Sequence, residues 1–555
     1  MMKRLLSLLL ALSMLFALAA CGTGTGDNPG NTDDNSAADD NNTPDDSQTP
    51  STPTDNVVRM GRDMASTGNL NSLLTTYNNI FEVSDCVFDQ LISKDPYTLE
   101  LKPNLLTDFP TIENDGTLFT FELKQGVKFH DGTELTSKDV QYTFSRFFDP
   151  DYGNLNGWMA NMIKGSQAMM DSESNGKLDL LESFVIIDDY HFSIELEYGY
   201  TAFLAVLAVA PLNIVPMDAC EAAGDRWGID TLIGTGPFKL ESFNPNNEIV
   251  LVRNDDYHGE KTKLDGVEIL NMDANTALIE WEAGTIDVTS VDVSLVDGYL
   301  DNPDYADNVL FTEYVGVHCL SFNQAMKPFD DQRVRLAVGL ATDIKGLCDG
   351  YFKGHIRPAK SLIPQGVAGY DDSLPELEYN PERAKELLAE AGYPDGISIT
   401  ATVTDTSSWD KIYQVFQEQY KLANIDLQIE KVDAAGWFDK RSTGNVQYFM
   451  MNWYADFLDP DNFLYSLFHS SVATFFSNGM VDPEWDAKLD AGRLITDLDE
   501  KQTYYADLEK WLTREQVAEW PLYAPAGYLL VSDRVQDVFC KRDFLMSFAT
   551  GSIVG

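Results

Sequence analysis

Asp115-Gly116-Thr117-Leu118-Phe119-Thr120-Phe121-Glu122-Leu123-Lys124-Gln125-Gly126-Val127-Lys128-Phe129-His130-Asp131-Gly132, continued by Thr136-Ser137-Lys138-Asp139-Val140, is the stretch whose reading decides the fold. Residues 117–123 are rich in Thr and Phe, which predicts a strand. A helix is expected over residues 137–147, with Ser137 as its cap and Val140, Phe144 and Phe147 on one face. Strand and helix patterns alternate outward from there. Residues 191–197 alternate apolar and polar, as a half-buried strand does, and residues 248–252 read as another strand. Pro381 opens a helix over 381–391 whose stripe is Ala384, Leu387 and Leu388, and Gly392 ends it. Residues 409–422 read as helix and 426–432 as strand. The class is α/β, with no internal repeat.

Size and charge narrow the function. Residues 57–555 are too many for one core and suggest two or three domains. Aromatics at 11% suit a packed protein with a sizeable ligand cleft. The formal charge of −49 repels nucleic acid and anionic lipid. Cys21, Cys86, Cys220, Cys319, Cys348 and Cys540 include no CxxC pair, so neither a disulfide framework nor a zinc site is indicated.

The first 56 residues set the compartment. Lys3 and Arg4 precede the apolar run 5–16, and Leu18-Ala19-Ala20-Cys21 follows. A basic start, a short apolar core and small residues at the cut predict a signal peptide over 1–20. The cysteine at the cut resembles the lipobox of bacterial lipoproteins, which implies lipid on Cys21. Residues 21–56 are Gly, Thr, Asn, Asp, Ser and Pro with almost nothing apolar, and are expected to form a disordered acidic tether. Such a chain would span about 30–35 Å end to end. The expected location is the extracytoplasmic face of the cell membrane.

Three stretches together resemble one family. The first is residues 115–140, quoted above. The second is Gly234-Thr235-Gly236-Pro237-Phe238-Lys239-Leu240, with Arg253-Asn254-Asp255-Asp256-Tyr257-His258-Gly259 and Gly284-Thr285-Ile286-Asp287. The third is Phe322-Asn323, then residues 328–337 (Pro328 to Ala337), then Trp453-Tyr454-Ala455-Asp456-Phe457-Leu458-Asp459-Pro460. In this order they resemble extracellular solute-binding proteins of family 5, the oligopeptide, dipeptide and nickel binders of ABC importers. The resemblance implies a two-lobed, periplasmic-binding-protein-like α/β fold (type II, cluster C-like), with an extra domain on the N-terminal lobe. The implied boundaries are 57–94, 218–317 and 525–555 for lobe I, 95–217 for the extra domain II, and 318–524 for lobe III.

The site follows from the third stretch. Asp459 reads as a helix N-cap and Pro460 as the first helical residue, with Phe463, Leu464, Leu467 and Phe468 on the apolar face. The preceding loop holds Trp453, Tyr454 and Asp456. In peptide-binding relatives the acid at the position of Asp456 pairs with the ligand's α-ammonium. A carboxylate in a closing cleft needs such a cation or takes up a proton. Backbone groups of Asn452 to Tyr454 are expected to pair with an extended peptide as an added strand would. Tyr77, Asn78 and Trp158 lie in segments that face the cleft in relatives. One departure bears on substrate: residues 397–410, where dipeptide-binding relatives place a carboxylate-binding arginine, contain no Lys or Arg. A second basic position of an oligopeptide relative corresponds to Met450. Longer peptides with a solvated C-terminus, or a ligand with a cationic end and no carboxylate, are then favoured, unless Lys411 or Arg441 swings in.

The reading is a lipid-anchored, monomeric substrate-binding protein that captures oligopeptides and hands them to ABC permease subunits. It uses no cofactor, performs no catalysis and contacts no nucleic acid. The alternatives are a receptor for an oligosaccharide or a metal chelate, or a surface protein that senses peptides without import. Ser408-Trp409-Asp410-Lys411 fits SxxK but lacks its partner motifs. Gly22 to Gly26 follows no strand and is no phosphate loop. The histidines show no HExxH, and His130 is expected to be structural.

Overall fold

A computed structural model describes residues 55–64, 68–174, 176–405 and 407–554. The predicted leader, Cys21 and nearly all of the tether lie outside these residues. Among the described residues, no helix is long and apolar enough to cross a membrane.

Three sheets organise the chain. The first has seven strands, in the order Val309–Glu313, Ala526–Val531, Val288–Val291, Val57–Arg62, Gly266–Asn271, Glu248–Arg253 and Phe238–Asn244. Val57–Arg62 runs parallel to both its neighbours, and the other pairings are antiparallel. The second has five, in the order Ile425–Val432, Ile397–Thr404, Tyr448–Tyr454, Gly316–Phe322 and Glu519–Tyr523. Every residue of Gly316–Phe322 is buried, as expected of a strand covered on both faces. The third is an antiparallel sheet of Thr111–Glu113, Leu118–Glu122, His191–Glu195 and Phe184–Ile186. The chain passes between the two large sheets at residues 313–316 and 523–526. The crossings are tied by the bond from Tyr314 N–H to the Pro525 carbonyl, at 3.0 Å. The fold is two-lobed and α/β.

The opening stretch folds as its pattern requires. Leu118–Glu122 is a strand, and Phe121 stacks on Phe192, which stacks on Phe184 (4.9 and 4.8 Å, both at 10°). The helix over Ser137–Phe148 covers this sheet, with Val140, Phe144 and Phe147 buried. Its cap is Thr136 rather than Ser137. Asp139 accepts from the Thr136 N–H and hydroxyl, both at 2.9 Å, leaving Ser137 buried as the first helical residue.

The second family stretch is a packing device. A Cβ on Gly234 or Gly236 would lie 2.1 or 2.7 Å from the Val87 carbonyl oxygen, so only glycine fits there. Thr235, Tyr257 and His258 from that stretch converge with Asn104 on buried Asp89, at 2.8, 3.2, 2.9 and 2.8 Å. His130 seats its ring between the Gly236 carbonyl (3.1 Å) and the Gly234 N–H (3.3 Å). Burial lowers its pKa to about 4, so it is neutral and structural.

Candidate functional site

A cavity of about 750 Å³ lies where three regions meet. Its wall combines residues 76–81, residues 155–167 beside the third sheet, and residues 438–493 of the second lobe. The size is that of a small-molecule or short-peptide site.

The strand Tyr448–Tyr454 delivers the central residues. It pairs along its whole length with Gly316–Phe322, but meets Ile397–Thr404 only at Tyr448. Asn452, Trp453 and Tyr454 therefore end a strand, where a loop was expected, with no second ladder beside them among the described residues. All three line the cavity, as does Asp456.

Asn462, fully buried, fixes the geometry. Its side-chain oxygen accepts from the Trp453 indole N–H (3.0 Å) and the Asp456 N–H (3.2 Å), and its amide donates to Asp456 Oδ2 (3.0 Å). Asn462 occupies the first turn of the helix Asp461–Phe468, which is capped at Pro460. The helix thus begins one residue later than the sequence suggested. Asp459 nevertheless caps with its side chain, accepting from the Asp461 N–H at 3.0 Å, and it also pairs with buried Lys501.

Asp456 is surrounded by protein yet partly accessible from the cavity. Burial pushes its pKa up to about 6, against the opposing pull of Asn462 and Lys94. Lys94 pairs with Asp543 at 2.6 Å, and Lys541 with Asp85 at 2.5 Å. Burial raises Asp543, but the two lysines outweigh it and hold the group at about 2. With Asp456 ionised, three carboxylates face two ammonium groups, leaving one net negative charge.

Residues from the third-sheet side close the cavity. Phe457 is buried in the apolar cluster built around that sheet. Tyr200 donates to Asp461 Oδ2 at 2.8 Å, and Lys501 donates to the Thr201 hydroxyl at 2.8 Å. Arg493 pairs with Asp461 at 3.1 Å and lies over the rings of Tyr465, Tyr200 and Tyr198, at 4.1, 5.0 and 5.1 Å. Burial lifts Asp461 to about 6, opposed by Arg493.

The other predicted positions divide. Asn78 and Trp158 line the cavity, and Trp158 meets Trp453 at 6.3 Å. Tyr77 caps the helix Asn78–Val87, with 53% exposure, and the wall there is formed by Thr76 and Asn78 instead. Met450 is buried, and its N–H is held by the Tyr413 hydroxyl oxygen at 2.5 Å. Ser408 and Lys411 are exposed and outside the wall. The strand Ile397–Thr404 supplies no cation, but Arg441 on the helix Ala434–Ser442 reaches the cavity. Its guanidinium lies over Phe475 and Phe476, at 5.1 and 5.4 Å. Among the described residues it pairs with no carboxylate, and its Nε is buried without a partner. The sequence reading missed Lys94, Asp461, Phe475, Phe476, Arg493 and Asp543. Only the amphipathic helix after Pro460 carried a signal, and that pointed to Asp461 by proximity alone.

The matches to known proteins agree with this architecture. Heme-binding protein A of Haemophilus influenzae is 26% identical over 479 residues, 83% of this chain and 85% of the relative. The dipeptide-binding protein of Escherichia coli is 26% identical over 431 residues, 74% and 78% of the two chains. The solved E. coli murein tripeptide binding protein MppA superposes with a TM-score of 0.79 at 22% identity, over 91% of this chain and 99% of that one. Residues 100–475 match the family model described as bacterial extracellular solute-binding proteins, family 5, and the chain belongs to that family.

Proposed function

We propose that this protein is the lipid-anchored substrate-binding component of an ABC importer. It captures oligopeptides by lobe closure and delivers them to the permease. The observation that carries the reading is Asp456: a carboxylate at the cavity wall, in a largely buried group of charges whose two ion pairs, Lys94–Asp543 and Lys541–Asp85, leave it without a cation of its own among the described residues. An α-ammonium supplies the missing charge and contributes roughly 1.5–3 kcal/mol as a charge-assisted hydrogen bond. The open flank of Asn452–Tyr454 offers main-chain partners to an extended ligand. Arg441 offers a carboxylate partner at another part of the wall. Curated relatives of this chain include dipeptide-, oligopeptide-, glutathione- and heme-binding proteins.

The domain boundaries expected from the sequence are retained in this proposal: lobe I from 57–94, 218–317 and 525–555, domain II from 95–217, lobe III from 318–524. Cys21 carries the lipid, and the body acts as a monomer at the outer face of the membrane.

Titration calorimetry with free-amine oligopeptides and their N-acetylated counterparts tests the reading. Acetylation is expected to weaken binding by about 10- to 100-fold or more. Equal affinity for both forms refutes recognition through the ammonium.

A further inference from the structure

Five aromatic rings form a continuous ladder along one wall of the cavity. Trp158 meets Trp453 at 6.3 Å, Trp453 meets Phe476 at 5.8 Å, Phe476 meets Phe475 at 5.1 Å, and Phe475 meets Phe438 at 6.1 Å. All five line the cavity. Arg441 covers the faces of Phe475 and Phe476. Three of the rings are incompletely packed: Phe438 is 54% exposed, Phe475 40% and Trp158 36%. Large apolar surface left open inside a concave site is surface that a ligand can cover.

From this we infer that the cavity selects peptides bearing aromatic or large apolar side chains beyond the amino-terminal residue. The inference rests on the peptide-capture reading above, because the ammonium at Asp456 is what brings the side chains to the ladder. Three physical effects point the same way. An apolar side chain removes open ring surface from water, which a serine does not. An aromatic side chain adds edge-to-face contacts with a wall whose neighbours already meet that way, at 82° and 78°. A lysine side chain placed there meets the guanidinium of Arg441, a like charge that no protein carboxylate pairs with among the described residues.

The experiment is a calorimetric series on the full-length protein. The ligands are tetra-alanine with a free amine and its variants carrying Phe, Ser or Lys at the second, third or fourth position. At one position at least, Phe is expected to bind about 10- to 100-fold tighter than Ser. Lys is expected to bind more weakly than Ser there. In Phe475→Ser and Phe438→Ser, both at partly exposed sites, the ratio of Phe to Ser affinity is expected to fall toward one. Measurable binding with no difference among Phe, Ser and Lys overturns this inference and leaves peptide capture standing. A Phe preference unchanged in both variants overturns the assignment to the ladder. Absence of binding by every free-amine peptide overturns the underlying reading as well.

Discussion

Lowering the pH from 7.5 to 5 should weaken peptide binding about ten-fold, and Asp456 alone should account for it. In the free protein burial raises this carboxyl from 3.8 to about 6. An ammonium bound against it favours the ionised form, so its pKa falls in the complex. The sign follows: affinity is full above about pH 6 and declines as pH falls through that value, with a proton released on binding. At pH 7.5 nearly all free protein has Asp456 ionised. At pH 5 only about one molecule in eleven does, and the ratio costs about 1.4 kcal/mol. The other groups facing the site are separable. Asp543 is held at about 2, and the guanidiniums of Arg441 and Arg493 do not titrate in this range. Asp461 also sits at about 6, but it answers to Arg493 and Tyr200. Asp456→Asn resolves the two. It should lose about 10- to 100-fold in affinity at pH 7.5, the worth of a hydrogen bond to a charged group, and become insensitive to pH. The assay is calorimetry in two buffers of different ionisation enthalpy, which counts the protons directly. Undiminished affinity at pH 5, or an Asp456→Asn profile with the same slope as the parent, would refute the reasoning.

Asn462→Ala leaves the Trp453 indole and the Asp456 N–H without their acceptor, at a cost of roughly 2–4 kcal/mol in thermal stability. Because it also removes a donor to Asp456, the midpoint of pH-dependent binding should move upward in the variant. Tyr200→Phe removes the donor to Asp461 that joins the two sides of the cavity. Stopped-flow Trp fluorescence should show peptide release accelerated about ten-fold or more, with association little changed. Glu519, held by Cys319 Sγ at 3.0 Å and the Ser321 hydroxyl at 3.1 Å, is raised by burial to about 8. A raised carboxyl stabilises at low pH and loses that contribution as pH climbs from about 4.5 to 8. Melting temperatures of Glu519→Gln should therefore fall less than those of the parent between pH 5 and 8. Cys21→Ala should shift the protein from the membrane fraction to the medium, measured by fractionation after metabolic labelling with a fatty acid.

Much of the architecture was legible along the chain because local rules write it there. The Thr- and Phe-rich strand at 118–122, the helix opened by Pro381 and the strand at 425–432 fall within one or two residues of expectation. Each is set by periodicity and by caps only a few residues apart. The misjudged ends have equally local causes. Thr136 out-competes Ser137 as a cap because Asp139 completes a box with it. Asp459 still accepts from the helix's first N–H through one oxygen, while its other oxygen pairs with Lys501, a buried charge distant in sequence.

The order of the family stretches could be read from the residues alone, because motif and spacing are properties of a linear chain, and only the resemblance they carry pointed to Asp456. What surrounds that carboxylate could not. Lys94 and Asp543 stand hundreds of positions apart, yet their pairing sets the charge that Asp456 feels. Arg441 reaches the cavity from a helix rather than from the strand where a cation was sought. Phe438, Phe475 and Phe476 become one wall only when a helix meets a turn more than thirty residues further along the chain. Electrostatic and packing energies depend on distances through space, and those distances exist only after the sheets have assembled.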